Sequence, residues 1–335
     1  YTLLGSSVSD LYNQMLKRGW TWLWPLQMKL NKLLVKLNYQ TGVEFFEGYW
    51  REQQPDLVLS VVTMCNQVLW DALERAQPGT PYLTLPIDFA DYPPGFWFEP
   101  DTDSYAFCAT TRALEQARAL GVKEDRIVPT SGMAIHPRFY EPDPRDRRQE
   151  RQRLGLDPDK LTGLVMFGGN GSRVMLDIAK RLERYSEDLQ LAFLCGRDEQ
   201  LARDISALGG KQVRAVVGFT RDMPYYMHLA DFFIGKPGPG SLSEALAMNL
   251  PVVTTCNPST LIHERYNAEW VRSRRVGIVL DSFRQVAGAV EQFLQPDLLE
   301  QYRANVAAID NQAVFEVIDF VQHVLAERTA RPACR

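Results

Sequence analysis

The run Asp231-Phe-Phe-Ile-Gly-Lys-Pro-Gly-Pro-Gly-Ser-Leu-Ser-Glu-Ala-Leu-Ala-Met-Asn-Leu-Pro-Val-Val253 sets Gly235, Gly238 and Gly240 between an apolar strand and a helix predicted from about Ser241. Glycines at such a junction let a ligand come close to the backbone. The helix start adds unpaired N–H groups and a positive dipole end, so the ligand implied is a phosphate or diphosphate. Ser241 and Glu244 also have the Ser-x-x-Glu spacing of a capping box. Taken alone, the segment leaves capping and anion binding open.

A second junction of the same kind is Phe167-Gly-Gly-Asn-Gly-Ser172, again after an apolar run. Two glycine loops at the carboxyl edge of one sheet favour a phosphate site over two unrelated turns. Phe219, in the stretch 217–223, is an aromatic that could meet a nucleobase, with a core role as its alternative. His263, Glu264 and Asn267, in a proline-containing loop over 256–267, are polar groups suited to sugar hydroxyls; solvation on a helix surface is theirs.

These groups need a scaffold. From Pro55 onward short apolar strands alternate with amphipathic helices: strands over 56–62, 81–85, 106–109 and 126–129, with helices over 66–76 and 111–120. The proline- and charge-rich stretch 141–153 reads as a solvated linker. The alternation then restarts, with strands at 164–167, 189–194, 213–217, 232–234, 251–255 and 277–280, and closing helices over 286–294 and 314–326. Repeated βαβ units imply parallel sheets. The expected organisation is α/β, with two doubly wound domains facing a cleft, residues 1–140 and 141–335.

Composition removes several function classes. The 37 basic and 41 acidic residues leave a net charge of -4, which gives no global affinity for nucleic acid. Five cysteines show no metal-type spacing and read as reduced thiols. No apolar run reaches the roughly 20 residues of a membrane span. The chain opens at Tyr1 rather than a methionine, and with too few strands for a complete first domain.

The motifs Gly218-Phe-Thr-Arg-Asp-Met223, Ala230-Asp231, Gly235-Lys-Pro-Gly-Pro-Gly-Ser-Leu-Ser-Glu-Ala245, Leu250-Pro251 and His263-Glu264-x-x-Asn267 together resemble the donor domain of GT-B glycosyltransferases. The nearest branch holds monogalactosyldiacylglycerol synthase, processive diacylglycerol glucosyltransferase and the peptidoglycan transferase acting on a lipid-linked muramyl-pentapeptide. The stretch Asp88-Phe-x-x-Tyr92 with Pro94 and Trp97 is similar to an acceptor-side motif of the diacylglycerol members. The resemblance implies an inverting transferase that takes a UDP-hexose and needs no cofactor or metal. It assigns the base to Phe219 and Thr220, the ribose to Glu244, and the diphosphate to Gly240 and Ser241 beside Lys236, Gly238 and Pro239. Gly169, Asn170, Gly171 and Ser172 would meet the donor from the other loop, and His263, Glu264 and Asn267 would hold the hexose. Two departures stand out. The family's Gly-Gly-Gly-His loop is absent, so the first βα unit of the N-terminal domain is expected to be missing, and Pro93 replaces a histidine. Asp88 remains the carboxylate nearest to a catalytic role.

Residues 17–37 bring Lys29, Lys32 and Lys36 to one helical face and leucines to another, after Trp20, Trp22 and Trp24. That composition suits a helix lying on an anionic membrane, here the cytoplasmic face, as a monotopic anchor. A helix packed on its own sheet is the alternative. Transfer to diacylglycerol is the expected reaction. Transfer to a polyprenyl-linked sugar or small glycoside, UDP-sugar 2-epimerisation and non-catalytic nucleotide-sugar binding are its rivals.

Overall fold

The computed structural model describes residues 24–330. Trp20 and Trp22 lie outside the described residues. In chain order the elements are α1 (Trp24–Leu37), α2 (Tyr39–Gln53), β1 (Val58–Ser60), α3 (Asn66–Ala76), β2 (Tyr82–Thr84), β3 (Tyr105–Cys108), α4 (Thr111–Ala119) and β4 (Ile127–Pro129). Then come α5 (Arg147–Arg153), β5 (Leu161–Met166), α6 (Val174–Leu182), β6 (Leu189–Leu194), α7 (Glu199–Ser206), β7 (Arg214–Val217), α8 (Met223–Leu229) and β8 (Phe232–Gly235). The series closes with α9 (Pro239–Ala247), β9 (Val252–Thr255), α10 (Ile262–Arg274), β10 (Gly277–Leu280), α11 (Val286–Phe293), α12 (Pro296–Ala307) and α13 (Ala313–Ala330).

Two compact units form, and their membership departs from the expected division. The first comprises the residues up to Ser131 with 258–263 and everything from Phe315 onward; the second comprises 132–257 and 264–314. The last helix therefore leaves the second domain. The reason is packing: Val317, Phe320 and Val321 of α13 sit against Leu83 and Phe107 of the first sheet. The Ser131 amide donates to Glu316 Oε2 at 2.8 Å, and Arg328 Nη1 to the Asp56 carbonyl at 2.7 Å.

In the first unit four parallel strands run in the order β1-β2-β3-β4. In the second, six parallel strands run β10-β9-β8-β5-β6-β7, a doubly wound order whose direction switches between β5 and β8. Both central strands are buried along most of their length, as a sheet covered by helices on two faces requires. Val165, Phe193, Phe232 and Ile234 anchor its core together with Ile178, Leu182 and Phe293.

The stretch 141–153 is not a solvated linker. Its second half is α5, capped by Asp146, whose side chain accepts from the Gln149 amide. Arg151 is 4% exposed. Its Nη2 meets Asp231 Oδ2 at 2.8 Å, and its Nε donates to the Leu229 carbonyl at 2.9 Å. Arg147 and Arg303 reach Asp231 Oδ1 at 2.8 and 2.9 Å, and the Thr162 amide donates to Oδ2 at 2.8 Å. One buried carboxylate thus fastens α5 and α12 to the entries of β5 and β8. Burial opposes its charge, but Arg151 and Arg147 outweigh that and hold its pKa below the ordinary carboxylate value.

Helix α1 is half packed and half open. Met28 is buried, and Val35 packs on Val43 and Val68. Lys29, Lys32 and Lys36 are exposed, and so are Leu30, Leu33 and Leu37, the last at 71%. No helix among the described residues is long and apolar enough to cross a membrane.

Candidate functional site

The carboxyl ends of β5, β6, β7 and β8 surround a cavity of about 420 Å³. Met166, Leu194, Gly196, Gly218 and Lys236 stand at the four strand ends or one or two residues beyond them. The opposite wall is the start of α9, Gly238 to Ser241, with Glu244 one turn further and Glu264 from α10. This is the position at which doubly wound sheets bind ligands, beside the switch in strand order.

The helix start differs from the capping box that Ser241 and Glu244 suggested. Gly238 is the N-cap, with no side-chain cap, and Pro239 is the first helical residue. Proline fits there because its missing N–H would be unpaired anyway. Ser241 falls inside the first turn, where its Oγ donates to the Gly238 carbonyl at 3.3 Å. Glu244 is released from capping and lines the cavity. Burial pushes its pKa up to about 7, against an opposing pull from Arg138. Arg138, which sequence reasoning missed, is also fixed by donating to the Arg221 carbonyl at 2.8 Å.

Of the assigned donor residues, Gly169, Phe219, Thr220, Lys236, Gly238, Pro239, Gly240, Ser241, Glu244 and Glu264 line the cavity. Lys236 Nζ donates to Glu264 Oε1 at 3.1 Å. Phe219 is half exposed, with the Arg197 guanidinium 4.5 Å from its ring centroid. The other five are placed elsewhere. Asn170 is exposed on the loop, and Ser172 Oγ accepts from the Val174 amide at 3.4 Å, a turn contact. Gly171 is turned into the protein, where a Cβ would stand 2.5 Å from the Cys195 carbonyl. Asn267 is fully buried and braces the loop from behind, its Nδ2 donating to the Pro237 carbonyl at 2.9 Å. His263 stacks on Phe96, with ring centroids 6.4 Å apart and planes 18° apart, and does not line the cavity. His263, Glu264 and Asn267 belong to α10 rather than to a loop, so helical periodicity points them in different directions.

Gly196 also lines the cavity and escaped sequence reading, whereas Gly218 stood in a motif without a role of its own. Gly196 has φ +61°, and a Cβ there would lie 2.4 Å from the Gly169 carbonyl oxygen. The Arg197 amide donates to that same oxygen at 2.9 Å. Gly196→Ala is therefore expected to destabilise the second unit by roughly 2–4 kcal/mol and to disturb the loop. Gly240→Ala is the contrast, because no atom lies within 4 Å of its Cβ position. Thermal melting should separate them, with Gly240→Ala close to the parent.

Asp88 and Asp91 divide the work in the first-unit motif. Asp88 is buried, and its Oδ2 accepts from the Trp97 indole at 3.1 Å. Asp91 holds the turn, accepting from the amides of Gly95, Phe96 and Trp97 at 2.7, 2.9 and 2.6 Å.

Comparisons with known proteins assign both halves. Residues 164–323 match the glycosyltransferase family 28 C-terminal domain, and residues 2–135 match the monogalactosyldiacylglycerol synthase family. Both halves of the chain thus match family models from this branch of the GT-B glycosyltransferases. A probable chloroplastic monogalactosyldiacylglycerol synthase of Glycine max is 27% identical over 292 residues, covering 83% of this chain and 54% of the relative. The Arabidopsis thaliana synthase 2 is 26% identical, covering 83% of this chain and 60% of its own. The chain thus spans between half and two thirds of these relatives' length.

Among solved structures, MurG of Acinetobacter baumannii superposes with a TM-score of 0.61 at 14% identity, over 86% of this chain and 80% of that chain. A co-structure of Staphylococcus aureus MnaA with UDP gives 0.64 at 16% identity, over 89% and 82%. These likenesses establish the GT-B fold. The chain shares that fold with UDP-N-acetylglucosamine 2-epimerase, for which the score is 0.58 at 14% identity over 88% and 78%. Fold alone therefore does not separate the two chemistries.

Proposed function

We propose that this glycosyltransferase moves a hexose from a UDP-sugar to diacylglycerol, with inversion at the anomeric carbon, at the cytoplasmic face of a membrane. The observation that carries the donor side is the cavity at the sheet's switch point, where an uncapped helix start, Glu244 and the Lys236–Glu264 pair converge. In this reading the α9 start faces the diphosphate, Glu244 accepts from the ribose hydroxyls, Phe219 and Thr220 border the uracil, and Glu264 accepts from the hexose. The acceptor oxygen forms the new bond to C1 while the bond from C1 to the β-phosphate oxygen breaks. UDP leaves with the electron pair, and the acceptor proton passes to a base, for which Asp88 is our candidate. The positive helix end stabilises the departing charge, so the reading invokes no cofactor or metal.

The lipid acceptor is supported by the synthase-family match over 2–135 and by the open face of α1. Exposed Leu30, Leu33 and Leu37 beside Lys29, Lys32 and Lys36 suit an anionic bilayer surface. Each juxtamembrane lysine contributes on the order of 1 kcal/mol there. Lys29→Glu with Lys36→Glu is expected to weaken binding to phosphatidylglycerol vesicles by at least about tenfold, read by co-sedimentation. Equal binding of parent and variant would remove the anionic-surface assignment.

The deciding assay mixes the full-length protein with diacylglycerol vesicles and either UDP-galactose or UDP-glucose. UDP and a monohexosyl lipid should appear together. Formation of a 2-epimer without any acceptor, or no turnover of either donor, would overturn the proposal.

A further inference from the structure

The loop between β7 and α8 brings Gly218, Phe219 and Thr220 to the cavity. Phe219 is half exposed, so packing alone does not fix the loop. Two arginines from the stretch before α5 reach it. Arg145 Nη1 lies 3.2 Å from Asp222 Oδ2, an exposed pair of the kind that contributes little. Arg138 is different. It is half-buried on the single helical turn Pro137–Phe139, which Phe139 anchors at 2% exposure. Its Nη1 donates to the Arg221 carbonyl at 2.8 Å, across 83 residues of sequence. Its Nε is buried and meets no acceptor among the described residues. The same guanidinium acts on Glu244, opposing the effect of burial on that carboxyl. The other charged groups of the lining, Lys236 and Glu264, pair with each other at 3.1 Å. From α12, which packs on α9, Arg303 is taken by Asp231 and Glu300.

We propose that Arg138 is a positioning residue of the nucleoside seat, tying the loop of Phe219 and Thr220 in place and counterbalancing the charge of Glu244. The inference rests on the nucleotide-sugar reading above. One guanidinium then serves both borders of the seat, the loop beside the base by a hydrogen bond and the carboxylate beside the ribose by its charge. Neither task requires contact with the ligand. A loop held by a charge-assisted bond occupies the binding position for more of the time, and apparent affinity scales with that fraction. The diphosphate lies outside this effect, so uridine and UDP should lose affinity together. The charge has a signature of its own. Without the cation Glu244 keeps its proton to higher pH, so the rise of affinity with pH should move upward.

Calorimetry with uridine and with UDP tests both parts. Arg138→Met should weaken the two ligands by a similar factor of about ten, the scale of a lost charge-assisted hydrogen bond. Its pH profile, read with uridine because that ligand carries no titrating phosphate, should have its midpoint above the parent's. Arg138→Lys keeps the charge but not the planar fork, so it should keep the parental midpoint and recover only part of the affinity. Arg145→Met should bind like the parent. Melting curves show whether each variant is folded in the assay; should Arg138→Met not be, the contrast between midpoint and affinity in Arg138→Lys decides. A parent protein that binds neither ligand would sink the nucleotide-sugar reading, and this inference with it. If the parent binds both, three results would overturn the inference alone: unchanged affinity in Arg138→Met, a loss for UDP without one for uridine, or an unshifted midpoint.

Discussion

Glu244→Gln is expected to weaken UDP binding by about tenfold to a hundredfold at pH 8 and to remove its pH dependence. In the parent, the carboxyl lines the cavity with a pKa raised to about 7 by burial. The ionised form accepts from hydroxyl donors more strongly than the protonated one, so affinity should climb from pH 6 to pH 8 as the proton is lost. Titration calorimetry across that range reads the effect directly, and a flat parent profile would dismiss the ribose assignment. Stability should move the other way. The ordinary value is 4.5, so below that pH both folded and unfolded states hold the proton. Between 4.5 and about 7 the unfolded chain ionises first, and stability falls until the native carboxyl ionises too. A shift of this size corresponds to roughly 3 kcal/mol at most. Above pH 7 the glutamine variant should therefore melt higher than the parent while binding worse, a trade-off typical of groups held for function.

Asp231→Asn should destabilise the second unit by about 3–5 kcal/mol, because it strands the buried Arg151. Arg151 is nearly inaccessible, and Arg147 and Arg303 converge on the same carboxylate. The pH dependence again has a definite sign. Arg151 and Arg147 overcome the effect of burial and hold this pKa below 3.8, so the stabilisation is present above that value and fades as the solution is acidified through it. Urea titrations at pH 7 and pH 3 measure both. A loss at pH 7 below about 1 kcal/mol would mean that the cluster is only a surface network.

These two residues also mark what the sequence makes legible. Alternating apolar runs revealed β5 to β10 within a residue or three, since parallel strands covered on both faces leave unbroken hydrophobic stretches. The glycine junctions were equally visible as strand-to-helix punctuation. Ser241 and Glu244 misled because their spacing matches a cap, whereas Pro239 carried the signal of the true helix start. Asp231 looked like a strand flank and Arg147–Arg153 like a linker, because a partnership across 80 residues leaves no local pattern. His263 and Glu264 are adjacent in sequence, yet one faces Phe96 and the other the cavity. That split follows from α10 starting at Ile262, a boundary hidden behind a proline-containing stretch.

The return of α13 to the first sheet governs the order in which the protein can be completed. Strands β1 to β4 are translated early, but Leu83 and Phe107 are covered by Val317 and Phe320, which come about two hundred residues later. During synthesis the second unit can close on its own strands while the first still shows an apolar sheet face. The earlier-made unit is thus the later to finish. Trimming the chain before Ala313 would leave that face uncovered.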